Sequence, residues 1–147
     1  MGSLPSILVV DDEPNSLFGI CQVLTDEGFE AISARNGREA LERLKTDPVN
    51  LIITDEKMPD LTGTELLLEV KKIHPHIPVI LISAYGSVLM AVEALRKGAF
   101  YFFEKPIFDK LERFLSSSGK PSRHRRWKKK STLSERRSPK NTLFPIS

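Results

Sequence analysis

The chain has 147 residues, 40% of them apolar, a formal charge of +3 and a single cysteine. That length suits one domain with a core of its own, and one cysteine excludes an internal disulfide. No apolar run approaches the roughly 18 residues of a membrane-spanning helix and no basic-then-apolar leader opens the chain, so a cytosolic protein with no membrane partner is expected. The net charge conceals two parts of opposite sign. Residues 116–147 hold ten Lys and Arg against one acid, whereas residues 1–115 hold twelve against eighteen. The expected organisation is an acidic domain at 1–115 and a basic, disordered tail at 116–147. Gly2 with Ser6 matches the loose myristoylation pattern, but an apolar strand already begins near Ser6.

Ile7 to Val10 is a short apolar run that ends in Asp11-Asp12-Glu13-Pro14. Leu17, Ile20, Cys21 and Leu24 then recur at helical spacing until Gly28, which makes Cys21 a core candidate. Phe29 to Ala34 is a strand, and Asn36-Gly37 turns the chain into a helix with Ala40, Leu41 and Leu44 inward. Leu51 to Ile53 is a third strand, stopping at Asp55. Leu66, Leu67, Val70 and Ile73 mark a third helix, closed by Pro75 and Pro78. Val79 to Ile82 forms a fourth strand ending at Ser83, and Val88, Val92 and Leu95 give a fourth helix up to Gly98. Phe100 to Phe103 is the fifth strand, followed by Glu104-Lys105-Pro106 and a last stripe of Ile107, Leu111 and Leu115.

Near-continuous apolar strands alternating with helices predict an α/β fold, a doubly wound five-stranded parallel sheet with helices on both faces. Ligands of such sheets bind at the carboxyl ends of the strands, beside the switch point. One chain reversal with right-handed crossovers places the first and third strands there, so Asp11, Asp12 and Asp55 converge. Ser83 and Lys105 follow two further strands at the same edge. Three crowded carboxylates raise one another's pKa unless a cation joins them. With oxygen ligands only and no histidine nearby, Mg²⁺ fits better than zinc, and Mg²⁺ characteristically links carboxylates to a phosphate. A carboxylate can attack phosphorus while Lys105 and Ser83 stabilise the phosphoryl oxygens.

Asp11-Asp12, Asp55 with Met58-Pro59 and Gly63, Ser83-Ala84 and Lys105-Pro106, in that order, resemble the receiver domain of bacterial two-component response regulators over about residues 6–115. Around Gly98-Ala99-Phe100 the sequence is most similar to receivers of the nitrogen-regulation type. The resemblance implies a flavodoxin-like strand order, 2-1-3-4-5. It implies Asp55 as phosphoacceptor from a sensor histidine kinase, and Mg²⁺ held by Asp12, Asp55 and the Lys57 backbone carbonyl, with Asp11 assisting through water. Lys105 contacts the phosphoryl group, and the Lys105-Pro106 bond is cis. Ser83 swings toward the modified Asp55 as one half of a switch. Phe102, in place of a commoner tyrosine, is the other half, with Tyr101 on the opposite side of its strand. A receiver homodimer is also compatible with this likeness.

Simpler readings exist for each residue. Asp11, Asp12 and Asp55 can each cap the following helix, Lys105 can be a loop cation, and Phe102 can be plain core. His74 and His76, two apart, decorate a helix end better than they bind metal. A phosphohydrolase of the haloacid-dehalogenase type also uses an aspartate after a strand, but Lys57 stands where its second aspartate belongs. A competing function lies in the tail, where residues 120–140 combine a basic run with Trp127 and suit nonspecific nucleic-acid binding, the receiver then being regulatory or vestigial. No Gly-x-x-x-x-Gly-Lys-Ser/Thr loop or Gly-x-Gly-x-x-Gly turn is present, so nucleotide binding is not expected. The resemblance to proteins of the nitrogen-regulation type implies receiver plus ATPase plus helix-turn-helix, for which 147 residues leave no room. A free-standing receiver with a basic extension and a truncated or frame-shifted product are both compatible with the tail.

Overall fold

The structure is a computed structural model that describes residues 4–117. Within them strands and helices alternate: β1 (Ser6–Val10), α1 (Pro14–Asp26), β2 (Glu30–Ala34), α2 (Gly37–Thr46), β3 (Leu51–Asp55), α3 (Gly63–Ile73), β4 (Val79–Ser83), α4 (Val88–Arg96), β5 (Tyr101–Glu104) and α5 (Phe108–Ser117). Ser116 and Ser117, expected in a linker, close α5 instead. The other residues of the expected tail, and with them the segment at 120–140 for which nucleic-acid binding is the competing expectation, lie outside the described residues, as does Gly2 of the lipidation pattern.

The five strands pair in parallel in the order β2-β1-β3-β4-β5, as the resemblance implies. Side chains alternate along each strand and so feed two cores. Ile7, Val9, Leu51, Ile53, Ile80, Ile82 and Phe103 meet Leu17, Ile20 and Leu24 of α1 and Leu111 and Leu115 of α5. Leu8, Val10, Ile52, Val79, Leu81 and Phe102 face the other way, against α2, α3 and α4. Strands covered on both sides can be apolar throughout, which is why β1, β3 and β4 show no polar alternation.

Each of the first four helices starts on a local side-chain acceptor. Glu13 caps α1, Asn36 caps α2, Thr62 caps α3 in a reciprocal box with Glu65, and Ser87 caps α4. Such caps contribute about 1 kcal/mol apiece by satisfying first-turn N–H groups. Gly28 and Gly98, at φ 92° and 110°, take the left-handed conformation that ends α1 and α4.

Two helical faces differ from expectation. In α4 the buried residues are Ala91 and Ala94, while Val88 is 59% exposed and Val92 and Leu95 are half-buried. Alanine lets the helix lie close over the sheet, so the larger residues are left at its flanks and outer side. In α3, Leu66, Leu67 and Val70 are buried but Ile73, in the last turn, is exposed. Cys21 is half-buried against the α1/α5 core, and burial pushes its thiol pKa up.

Candidate phosphoacceptor site

Parallel register brings the carboxyl ends of β1, β3, β4 and β5 to one edge: Val10 pairs with Thr54, Asp55 with Ile82, and Ser83 with Glu104. Asp11, one residue past β1, is fully buried. Its Oδ1 accepts from the Glu13 N–H at 3.0 Å, and its Oδ2 accepts from Ser16 Oγ at 2.7 Å and Lys105 Nζ at 3.3 Å. Lys105 Nζ also lies 3.5 Å from Asp55 Oδ1. The lysine thus bridges two buried carboxylates across 94 residues of sequence in one case and 50 in the other. Asp12 is exposed and completes the group: one carboxylate oxygen each from Asp11, Asp12 and Asp55 lie within 4.8 Å of one another.

The electrostatics are unbalanced. Burial first, and then the negative charge of Asp11, push the Asp55 carboxyl up to about 6, with Lys105 and the Glu56 N–H opposing them incompletely. Burial alone would lower the Lys105 ammonium, but Asp11 and Asp55 together raise it above its ordinary value. Among the described residues, three carboxylates against one ammonium leave an excess of negative charge in a partly dry place. An all-oxygen donor set with that excess suits a hard divalent cation, and Mg²⁺ is bound by one or two carboxylates together with phosphate oxygens. The residues present therefore fit the ion that the sequence led us to expect.

Ser83, the last residue of β4, is 6% exposed, and its Oγ accepts the Tyr85 N–H at 3.1 Å. The Lys105 N–H donates to the Ser83 carbonyl at 2.8 Å, which ties the two loops together, and the Lys105-Pro106 bond is cis. Lys57 is exposed, with its ammonium 5.8 Å from the centre of the Tyr85 ring. Phe102 is 1% exposed and packed in the α2/α3/α4 core, at one side of a cavity of about 340 Å³ that Leu81, Leu89 and Met90 also line. Tyr101 lies on the opposite face, stacked on Phe103 and edge-on to Phe114.

The simple capping readings do not survive. Glu13, not Asp11 or Asp12, caps α1, and Thr62, not Asp55, caps α3. His74 is the C-cap of α3, at the edge of the sheet opposite the carboxylates, as a helix-end residue should be. The chain also uses residues that its pattern did not point to. Ser16 holds Asp11, and Glu56 braces the β3–α3 loop by accepting from both the N–H and the hydroxyl of Thr64, at 2.9 and 2.8 Å. Both are polar residues at positions where an ordinary surface would also place them.

Residues 7–115 match the model of the response regulator receiver domain family. The chain belongs to this family. Among curated relatives, the transcriptional regulatory protein GlrR of Escherichia coli (strain K12) is 35% identical over 127 residues, covering 83% of this chain and 28% of the relative. The nitrogen assimilation regulatory protein NtrX of Azorhizobium caulinodans is 41% identical over 102 residues, 68% of this chain and 22% of the relative. The receiver thus spans about a quarter of the length of these regulators. Among solved structures, the receiver domain of NtrX from Brucella abortus superposes with a TM-score of 0.70 at 38% identity, covering 76% of this chain and 95% of that one. The receiver domain of the Francisella response regulator 1452 gives 0.72 at 31%, covering 77% and 94%. Receivers of this family are phosphoacceptors in two-component signalling, phosphorylated by sensor histidine kinases. Membership sets aside the phosphohydrolase reading, and none of these relatives supports nucleic-acid binding through the tail. No helix among the described residues is long and apolar enough to cross a membrane.

Proposed function

We propose that this receiver accepts a phosphoryl group on Asp55 from the phosphohistidine of a sensor histidine kinase, using Mg²⁺, and passes the change to a partner through Ser83 and Phe102. The observation that carries this reading is the convergence of the Asp55 carboxylate with the Asp11 and Asp12 carboxylates and with the Lys105 ammonium that contacts both Asp11 and Asp55. An Asp55 oxygen attacks phosphorus, the new O–P bond forms as the donor's N–P bond breaks, and the electron pair returns to the imidazole nitrogen. Asp55 ionises at about 6, so it is the free carboxylate at neutral pH. Asp12, Asp55 and the Lys57 carbonyl would hold Mg²⁺, with Asp11 assisting through water. That ion supplies positive charge to the phosphoryl oxygens. Lys105, already 3.5 Å from Asp55, shifts its ammonium onto the transferred group. Asp11 keeps Lys105 charged and in place, and Ser16 keeps Asp11 in place.

Ser83 has its hydroxyl oxygen engaged by Tyr85 N–H, so turning toward a phosphoryl oxygen gives up a bond in the β4–α4 loop. Phe102 has its ring already inside, and its part in the switch is as the wall against which α4 resettles. Space for a donor exists beside Lys105, where Asn15, Ser16, Ile20, Pro106 and Ile107 line a hollow of about 460 Å³. The unit that acts is the 1–115 receiver, and a receiver homodimer is one form in which it can signal. Incubation with Mg²⁺ and acetyl phosphate, followed by intact mass measurement, tests the chemistry. One added phosphoryl group is expected on the wild type and none on Asp55→Ala; no addition, or equal addition to both, refutes it.

A further inference from the structure

We infer that Asp60 is a positioning residue for the acceptor site, holding the outer corner of the β3–α3 loop against the amino end of α2 and thereby fixing where the Lys57 carbonyl stands. The inference rests on the reading of Asp55 as phosphoacceptor, but the clamp itself is visible without it. Asp60 Oδ1 accepts from the Gly37 N–H at 3.0 Å and Oδ2 accepts from the Arg38 N–H at 2.9 Å, across 23 and 22 residues. Oδ1 also takes the Leu61 N–H at 2.6 Å, which sets the carboxylate relative to its own loop. A second point of attachment lies beside it. A Cβ on Gly37 would come within 2.7 Å of the Leu61 Cβ, so the first residue of α2 and the loop are as close as a glycine permits.

The two ends of the loop are secured by other means. On the strand side, Glu56 N–H donates to the Ile82 carbonyl at 2.8 Å, and the Met58 side chain is buried in the core. On the helix side, Gly63 N–H donates to the Glu56 carbonyl at 2.9 Å, and Thr62 caps α3. Asp60 lies at the exposed apex between them, three residues after Lys57. Nor is Asp60 simply a cap that α2 needs for its own sake. Asn36 already serves as its local N-cap, accepting from Glu39 N–H at 2.8 Å. The long-range carboxylate adds what Asn36 cannot, a tie between the acceptor loop and a neighbouring helix. Charged acceptors on backbone N–H groups at a helix amino end are among the stronger hydrogen bonds, so this tie has the directionality to fix a loop. Groups that orient a metal ligand without touching the metal are worth roughly 10- to 100-fold in metal affinity.

Asn36→Ala supplies the control, because it removes a first-turn acceptor from the same helix and leaves the loop attached. Three readouts are compared on the full chain. Backbone amide exchange over residues 56–61, measured in EDTA, should accelerate about tenfold in Asp60→Ala and less than about twofold in Asn36→Ala. The Mg²⁺ dissociation constant, by calorimetry with the metal alone, should rise about tenfold in Asp60→Ala and stay within about twofold in Asn36→Ala. The acetyl phosphate reaction should lose rate mainly at low Mg²⁺ and recover to within about threefold at saturation. Asp60→Asn, which keeps one acceptor oxygen, should fall between wild type and Asp60→Ala on all three. The proposal is overturned if Asp60→Ala leaves loop exchange and Mg²⁺ affinity within twofold of wild type, or if Asn36→Ala matches it on both. Should the wild type take no phosphoryl group, the receiver reading fails while the exchange comparison still decides the clamp.

Discussion

Replacing Asp55 by asparagine should make the metal-free protein more stable at neutral pH, and the size of the effect follows from the charge imbalance at the sheet edge. An aspartate in an unfolded chain ionises near 3.8, whereas in the fold burial and Asp11 raise it to about 6. Between those values the folded state binds more proton than the unfolded one, so stability falls as pH rises through that window. Below about 4 both states are protonated and no penalty exists. Above about 6 the penalty is complete, and two pKa units correspond to about 3 kcal/mol as a ceiling. Water at the open mouth of the site screens part of this, so about 1.5 kcal/mol is the working expectation. Asparagine carries no charge and escapes this penalty. Urea unfolding of both proteins in EDTA at pH 4.5 and pH 8 isolates it, because lost packing or hydrogen bonding affects both pH values alike. Asp55→Asn should gain on wild type between the two pH values, and saturating Mg²⁺ should erase the gain at pH 8. A difference that stays constant with pH, or one that reverses sign, would refute the electrostatic account of this site.

Lys105→Met removes the one ammonium that bridges Asp11 and Asp55, and should cost about 2 kcal/mol in urea unfolding at pH 7 because two buried carboxylates then face each other unpaired. The same variant should take up phosphoryl groups at least about tenfold more slowly in an intact-mass time course. Gly63→Ala drives a methyl group into the Asp55 carbonyl and to within 3.0 Å of the Glu56 Cα, both backbone, so the loop has to shift. A loss of about 1–3 kcal/mol, together with slower phosphorylation, is expected, and wild-type kinetics would show that the contact is relieved elsewhere. Phe102→Ala empties one of the largest fully buried side chains and should cost about 3–5 kcal/mol by denaturant unfolding. Asp55 should still be modified in whatever fraction stays folded, since the ring lies in the core and not among the reacting groups.

Much of the site is legible in the sequence because strand ends are legible. Asp11 and Ser83 follow directly on a short apolar run, Asp55 and Lys105 follow one after a single intervening residue, Thr54 or Glu104, and parallel pairing then leaves one edge where they can meet. The α4 face was less accessible. Val88, Val92 and Leu95 have the spacing of a buried stripe, yet Ala91 and Ala94 are what lie on the sheet. Periodicity weights side-chain size, whereas a helix that must approach Leu81 and Phe102 closely selects small residues. Hydrogen bonds to backbone are harder still to foresee. Asp60 resembles any loop aspartate, since its partners, the N–H groups of Gly37 and Arg38, carry no side-chain signature and stand more than twenty residues away. Glu13 illustrates the local version of the same difficulty. Three consecutive acids precede α1, and only geometry assigns the capping role to the third.

The charge excess that makes the metal-free site costly is also what would give it leverage in the switch proposed above. A ligand shifts a conformational equilibrium only by the difference in its interaction with the two states. Here the folded, metal-free site carries a penalty at Asp55 that the unfolded chain lacks, and anything that neutralises Asp55 and Asp11 together recovers it. With a ceiling of about 3 kcal/mol, that recovery is worth up to about a hundredfold in a binding constant or a population ratio. The networks around the site determine where the recovered energy can go. Asp11 is locked by Glu13, Ser16 and Lys105, and the β3–α3 loop is locked by Asp60 and by Glu56 with Thr64. The Ser83 hydroxyl is held more lightly, by one N–H from Tyr85, and the loop that follows Ser83 runs straight into α4, where Leu89 and Val88 are exposed. With one N–H holding that hydroxyl against the several ties on Asp11 and on the β3–α3 loop, the proposed function routes a change of charge at Asp55 toward α4 in preference to the braced α1 and α2 sides.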